Sequence, residues 1–187
     1  MLRAFLAIDV PGSLQPRLSR VQEELKQSGA EVRWVPVGNI HLTLKFFGQI
    51  SEAQVEDIAQ AAGHIAREQA PFRLQITQAG AFPSVKSPRV VWLGVGGDLA
   101  ALGGFYRRLE EAFARLGFPP EDRVFTPHLT LGRVKSPRNR AELSRRLTAL
   151  PPVDSDPFPV EEIILYRSNL SPQGAVYLPL RRISLEG

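Results

Sequence analysis

The tetrapeptide HLTL occurs twice in this 187-residue chain, at His41–Leu44 and again 87 residues later at His128–Leu131. The chain has three histidines, and two of them begin this motif. The elements predicted around each copy follow a similar order, with the motif on a strand just before a helix. We therefore predict an α+β fold of two pseudosymmetric lobes. A pseudo-twofold between these lobes would bring the two motifs face to face.

Hydrophobic periodicity predicts helices that begin at Ser13, Ser51, Asp98 and Asn139, with strands in the segments between them. The second helix opens with a Ser-x-x-Gln capping box from Ser51 to Gln54. No intervening segment is long or polar enough to separate independent domains. We therefore expect residues 1–187 to form one bilobal domain.

The composition restricts the compartment and the partners. The chain contains no cysteine, which excludes disulfides and thiolate zinc sites, and it lacks both a signal-peptide pattern and an apolar stretch of about 20 residues. We expect a soluble, cytoplasmic protein with no membrane contact, and nothing demands more than a monomer. The net charge of +4 is dominated by arginine and favours a polyanionic partner, although a GC-rich or heat-adapted source could also explain it.

The alternation of side chains along a strand determines what each motif displays. His41, Thr43 and Lys45 share one face, and the leucines between them share the other. His128 and Thr130 are arranged in the same way in the second motif. An imidazole with a pKa near ~6.5 can serve as base or acid at neutral pH, and a hydroxyl can donate to a phosphoryl oxygen. The repeat therefore predicts a site of two imidazoles and two hydroxyls.

Two basic residues could add to this site as substrate-binding groups. Lys45 lies two residues after its threonine and is expected on the same face, unless it is an ordinary surface lysine. Arg133 lies three residues after its threonine, so on a regular strand it would point away. A bulge or a strand end at Gly132 would turn Arg133 into the cleft, whereas a regular strand would leave it solvated.

The residues near the motifs do not suggest a metal site. The acids nearest the second motif, Glu121 and Asp122, are predicted in a turn beyond Pro127. Two histidines without clustered carboxylates supply too few ligands for a catalytic zinc or for a two-metal site. We therefore expect acid–base chemistry with neither metal nor cofactor.

Three segments together resemble one known family: RWVPVGNIHLTLKFFG, SPRVVWLGV and FTPHLTLGR. They are similar to the 2H phosphoesterase superfamily, in particular its RNA 2′,3′-cyclic phosphodiesterases, also called 2′-5′ RNA ligases. The resemblance covers nearly the whole chain. It implies a bilobal fold in which each lobe is an antiparallel sheet with helices packed on its outer face and the active-site cleft lies between the lobes. It also implies metal-independent opening of a 2′,3′-cyclic phosphate at an RNA end to leave a 2′-phosphate, with reversible 2′-5′ RNA ligation as a second reaction.

The resemblance also implies roles for the site residues. His41 would be the acid and His128 the base, an assignment that the near symmetry of the motifs leaves reversible. Thr43 and Thr130 would hold the non-bridging oxygens, and Arg133 matches the family's phosphate-binding pattern. Several aromatic residues could stack a terminal base: Phe5, Trp34, Phe47, Phe125 and Tyr166.

Two other functions stay open at this point. The chain could be a related enzyme that acts on 2′-5′ oligonucleotides or small cyclic phosphates. It could also be a non-catalytic RNA-binding module with the same basic cleft, although two intact motifs speak against that.

Overall fold

The computed structural model describes all 187 residues, and its four helices follow the predicted order, whereas Phe158–Val160 forms a short strand that the sequence did not predict. The four helices are α1 (Gln15–Lys26), α2 (Glu52–Arg67), α3 (Leu99–Arg115) and α4 (Arg140–Ala149). The nine strands are β1 (Leu2–Asp9), β2 (Val32–Trp34), β3 (His41–Ile50), β4 (Phe72–Pro83), β5 (Pro88–Gly97), β6 (His128–Val134), β7 (Phe158–Val160), β8 (Glu162–Ser171) and β9 (Gly174–Ser184).

The capping box predicted for the second helix is present. The Ser51 hydroxyl accepts the backbone N–H of Gln54 at 3.2 Å, and the Gln54 side-chain oxygen accepts the Ser51 N–H at 2.9 Å. This pair fixes the start of α2 directly after β3. No helix in the structure has the length and apolar character that crossing a bilayer requires.

The strand order is symmetric about the two motif strands. It runs β7-β4-β5-β6-β3-β1-β8-β9, with β2 added beside β6, and every pairing is antiparallel. The motif strands β6 and β3 are therefore innermost, and they pair only at Leu42 and Leu129. The α+β class and the two related halves are confirmed. The two predicted sheets are joined into one curled sheet by this single residue pair.

The helices obey the same symmetry. A pseudo-twofold axis exchanges β1 with β5, α1 with α3, β3 with β6 and α2 with α4. The same axis relates the two pairs of helices that are in contact, α1 with α4 and α2 with α3. One continuous cluster of 35 buried hydrophobic residues includes strands of both halves and all four helices. The helices cover one face of the sheet, which leaves the other face for the polar side chains of the motifs.

Each motif strand carries a β-bulge at the same place. Leu6 pairs with Lys45 and Ala7 with Thr43, so Leu44 has no partner of its own on β1. On β6, Val91 pairs with Gly132 and Trp92 with Thr130, so Leu131 is the extra residue there. An extra residue shifts the alternation of side chains by one position. The residue five positions after each histidine consequently returns to the histidine face.

Candidate active site

The four polar residues of the two motifs gather around the contact between β3 and β6. Leu42 pairs with Leu129, and continuing this antiparallel register by one residue in either direction sets His41 opposite Thr130 and Thr43 opposite His128. These four side chains alternate with leucines that are buried on the helix side. The structure therefore brings together both histidines and both threonines that the sequence predicted as site residues.

Both imidazoles are held by the same backbone contact. Nδ1 of His41 lies 2.7 Å from the carbonyl oxygen of Asn39, and Nδ1 of His128 lies 2.7 Å from that of Thr126. A carbonyl can only accept, so Nδ1 carries the proton in each ring. In the neutral ring, Nε2 then bears the lone pair and is the nitrogen that exchanges a proton with substrate.

The two Nε2 atoms differ in their partners. Nε2 of His41 lies 2.9 Å from Oγ1 of Thr43, whose hydroxyl donates to the neutral ring. Nε2 of His128 has no hydrogen-bond partner within the protein. The lone pair of His128 is therefore available to an incoming proton donor such as water.

Aromatic rings enclose His41. Phe5 stacks on the imidazole with a centroid distance of 4.8 Å and an interplanar angle of 25°, and Tyr177 approaches edge-on at 5.5 Å. This burial lowers the pKa of His41, an effect opposed by the Asn39 carbonyl and by the nearby Asp9 carboxylate. Burial therefore favours the neutral form of His41.

Asp9 is held beside His41 by Tyr166. The two residues Asp9 and His41 are register partners on β1 and β3, and the Tyr166 hydroxyl lies 2.8 Å from each oxygen of the Asp9 carboxylate. Burial together with this carboxylate raises the pKa of Tyr166 well above its usual range, so the phenol stays a hydrogen-bond donor. The carboxylate is thereby fixed near the imidazole of His41.

His128 has a different aromatic neighbourhood. Phe82 meets the imidazole edge-to-face at 5.0 Å and 88°, and Trp92 lies 6.4 Å away. Trp92 occupies the cleft face because Gly80, its partner on β4, has no side chain there and a Cβ at that position would collide with the indole. The second half of the cleft therefore depends on a glycine to admit a large ring.

Arg133 lies on the cleft face because β6 has a bulge at Leu131, directly before Gly132, which is the first of the two alternatives that the sequence left open. Gly132 itself faces the helix side, where a Cβ would meet the side chains of Val32 and Trp34. Gln22, buried on α1, donates to the carbonyl of Leu131 at 3.0 Å and so holds the bulge in place. The charge of Arg133 also opposes the burial that raises the pKa of Tyr177, which indicates that the guanidinium lies towards the opposite wall of the cleft.

The prediction that Lys45 faces the cleft is wrong. The bulge at Leu44 turns Lys45 to the helix side, where the side chain is 4% exposed. Its ammonium lies 2.8 Å from Oε1 of Glu110 on α3 and donates to the carbonyl of Pro119 at 2.7 Å. Lys45 therefore has its partners inside the protein, and Phe46 occupies the position on the cleft face.

The aromatic residues proposed from sequence fall into two groups. Phe5 and Tyr166 belong to the ring cluster beside His41, whereas the other three pack elsewhere. Phe47 packs edge-on against Phe113, Phe125 stacks on Tyr106, and Trp34 lies against the core.

The sequence reasoning missed four aromatic residues on the cleft face: Phe46, Phe82, Trp92 and Tyr177. One signal could have identified Phe46. It lies five residues after His41, as Arg133 lies five residues after His128. Aligning the two motifs beyond HLTL would have matched these two positions.

The cleft residues do not include a metal-binding cluster. No group of three or more His, Cys, Asp and Glu side chains in the chain is close enough together to hold a metal ion.

Comparison with known proteins assigns the class. The family model described as LigT like Phosphoesterase matches residues 8–92 and 98–177. The chain therefore belongs to the LigT-like phosphoesterases, which form part of the 2H superfamily, and it is a hydrolase.

Individual relatives match this chain over nearly their full length. The chain is 41% identical over 176 residues to a protein of Methanothermobacter thermautotrophicus named RNA 2′,3′-cyclic phosphodiesterase, covering 94% of this chain and 95% of the relative. A protein of Thermotoga maritima with the same name is 33% identical and is covered to 97%. Among solved structures, TT0787 of Thermus thermophilus superposes with a TM-score of 0.83 at 30% identity, covering 100% of this chain and 99% of that one. Escherichia coli LigT complexed with 3′-AMP gives a TM-score of 0.80 at 30% identity with the same coverage.

Proposed function

We propose that this protein is an RNA 2′,3′-cyclic phosphodiesterase that opens a terminal 2′,3′-cyclic phosphate to a 2′-phosphate without a metal ion or cofactor. The observation that carries the proposal is the matched pair of Nδ1–carbonyl contacts, each 2.7 Å long, in two imidazoles on one face of the sheet. This arrangement leaves two Nε2 atoms that can serve as proton donor and acceptor in one reaction. The names of the relatives from Methanothermobacter and Thermotoga support the choice of substrate.

In the proposed reaction, water attacks phosphorus while Nε2 of His128 takes its proton. The bond between phosphorus and the ribose O3′ breaks, and Nε2 of protonated His41 gives its proton to that oxygen. The bond to O2′ is kept, so the product is a 2′-phosphate. Exchange with solvent then returns both imidazoles to their starting states.

The remaining residues bind the phosphate. Thr43 and Thr130 donate to its non-bridging oxygens, and Arg133 neutralises the charge that these oxygens carry. The phosphodiester anion also favours the imidazolium form of His41 and so counteracts the lowering of its pKa by burial. Substrate binding therefore favours protonation of His41, which the cleavage of the bond to O3′ requires.

We further propose that the chain works as a monomeric bilobal unit in the cytoplasm and that its natural partners are RNA ends or nucleotides that carry a cyclic phosphate. The single hydrophobic cluster shared by both halves supports one bilobal unit, and the net charge of +4 supports an anionic partner.

The proposal is tested by incubating the protein with an RNA that ends in a 2′,3′-cyclic phosphate, in excess EDTA. We expect a product with a 2′-phosphate, identified by its chemical shift in the phosphorus NMR spectrum. The chelator should not change the rate at which this product forms. Loss of activity in EDTA with recovery on addition of Mn²⁺ or Mg²⁺ would contradict the metal-free mechanism.

A substrate panel separates the alternatives. Hydrolysis confined to 2′-5′ oligonucleotides or to small cyclic nucleotides would indicate one of the related enzymes. Binding of RNA with no turnover of any substrate would indicate a non-catalytic RNA-binding module. Adding an RNA with a free 5′-hydroxyl tests ligation, because that hydroxyl can replace water as the nucleophile that attacks phosphorus and would then leave a 2′-5′ linkage.

A further inference from the structure

Arg33 lies directly opposite Arg133 on the neighbouring strands β2 and β6. Opposed side chains on paired antiparallel strands have Cβ atoms about 4.5–5.5 Å apart, and like charges in this arrangement are destabilising. Neither guanidinium has a carboxylate within salt-bridge distance, and both side chains are exposed. Two uncompensated positive charges therefore stand side by side at this point of the sheet.

Both arginines lie on the cleft face. Val32 and Trp34 surround the helix side of Gly132, where a Cβ on that glycine would touch both side chains. Arg33 lies between Val32 and Trp34 in the strand and so projects to the opposite face. Arg133 follows Gly132 and projects to that same face. The arginine pair consequently borders the cleft beside Thr130.

We propose that Arg33 binds the phosphodiester on the 5′ side of the terminal nucleotide, so that the site favours an RNA strand over a mononucleotide. This inference rests on the proposed function. Thr130 and Arg133 lie on β6 and would hold the reacting phosphate. Arg33 lies on the neighbouring strand β2, one strand spacing of about 4.8 Å from Arg133, where the next phosphate of the RNA is within reach of its planar fork. A second anion also removes the like-charge repulsion between the two guanidiniums.

The test compares two substrates that differ in this one phosphate. Adenosine 2′,3′-cyclic phosphate contains only the reacting group, whereas a diadenosine dinucleotide ending in a 2′,3′-cyclic phosphate adds one 5′ phosphodiester. We expect Arg33→Ala to lower kcat/KM for the dinucleotide about tenfold, which is about 1.4 kcal/mol, and to leave that for the mononucleotide within about twofold. The logarithmic dependence of dinucleotide affinity on salt should also become shallower by about 0.7.

Two controls isolate the charge contact. Arg138→Ala removes the same charge from an exposed arginine in the loop after β6 and should leave both substrates unaffected. A dinucleotide with a neutral methylphosphonate linkage lacks the anion that Arg33 would bind. On that substrate, Arg33→Ala should have no further effect on kcat/KM.

The outcomes distinguish this inference from the proposed function. If the wild-type protein hydrolyses neither substrate, the proposed function fails. If it hydrolyses both and Arg33→Ala changes them equally or not at all, the function stands and the inference is overturned. A structural role for Arg33 would lower the Tm, whereas relief of like-charge repulsion should leave the Tm of Arg33→Ala unchanged or raised. A lowered Tm with equal losses on both substrates therefore also overturns the inference.

Discussion

Replacing Lys45 with methionine removes one partner of a buried ion pair and leaves the Glu110 carboxylate uncompensated. Nζ of Lys45 lies 2.8 Å from Oε1 of Glu110, and the two side chains are only 4% and 9% exposed. Removing one partner of such a pair destabilises a protein by about 3–5 kcal/mol. In a chain of this size, each kcal/mol lowers the Tm by about 2–4 °C. We therefore expect the Tm of Lys45→Met to fall by roughly 6–20 °C.

The assay is thermal unfolding monitored by calorimetry, and it includes two comparison variants. Lys26→Met breaks an ion pair of the same 2.8 Å length to Glu23, but its side chains are 42% and 65% exposed, so we expect a change below about 1 kcal/mol. The double variant Lys45→Met/Glu110→Met removes both charges from the interior and should recover part of the lost stability, because the backbone groups of Pro119 and Glu121 still lose their partners. A Tm for Lys45→Met within about 2 °C of wild type would refute this reasoning, as would a double variant no better than the single one.

The activity of Lys45→Met tests independently whether Lys45 stabilises the fold or acts on the substrate. Its ammonium binds the carbonyl of Pro119, and Glu110 accepts the backbone N–H of Glu121 at 2.9 Å, so the pair anchors the segment that leads into β6. Measured well below its Tm, the variant should keep kcat within a few-fold of wild type. A large fall in kcat with an unchanged Tm would mean that Lys45 acts on the substrate after all.

The other predictions concern the cleft. His41→Ala and His128→Ala should each lower kcat by roughly 10²–10⁴, and the double variant by far less than the product; near-normal turnover in either would mean that the repeat is structural. A p-nitrophenyl phosphodiester, whose leaving group needs no proton, should rescue His41→Ala, and rescue of His128→Ala instead would exchange the two roles. Arg133→Ala should weaken transition-state binding by about 1.5–3 kcal/mol in kcat/KM, whereas equal losses in Arg138→Ala would argue against a specific contact. Burial lowers the pKa of His41 in the folded protein below its ordinary value of 6.5. Between that lowered pKa and pH 6.5 the unfolded chain binds more protons than the folded one, so the stability of the wild type falls as the pH drops through this range. Thermal unfolding scans between pH 7.5 and 5, in a buffer without phosphate, should show a smaller fall in Tm for His41→Gln than for the wild type. An equal dependence of Tm on pH in the two proteins would contradict the lowered pKa.

Local signals in the sequence were sufficient for the order of the helices and for the orientation of the motifs. The Ser51 capping box marks the start of α2 through contacts within one helical turn. The leucines of HLTL must be buried, and this alone directs His41 and Thr43 to the other face. Such features depend on neighbours in the chain, so periodicity identifies them.

The bulges and the aromatic cluster depend on distant parts of the chain. Whether Leu44 has a partner is decided by its pairing with β1, and strict alternation therefore assigned Lys45 to the wrong face. The bulge on β6 could be predicted because Gly132 marks it, whereas the equivalent position on β3 is a lysine. Rings from β1, β8 and β9 meet at His41 only after the sheet has formed, and no local pattern indicates that contact.

The unequal roles proposed for the two histidines follow from their neighbours and not from their motifs. Both imidazoles have the same backbone contact through Nδ1, which is why the repeated letters alone leave acid and base interchangeable. Phe5 and Tyr177 cover His41, and because burial disfavours its charged form, an imidazolium created there by a bound phosphate readily gives its proton to the leaving oxygen. Nε2 of His128 has no partner in the protein and can accept a proton from water. A symmetric pair of strands thus obtains an acid and a base because the strands that flank each motif supply different side chains.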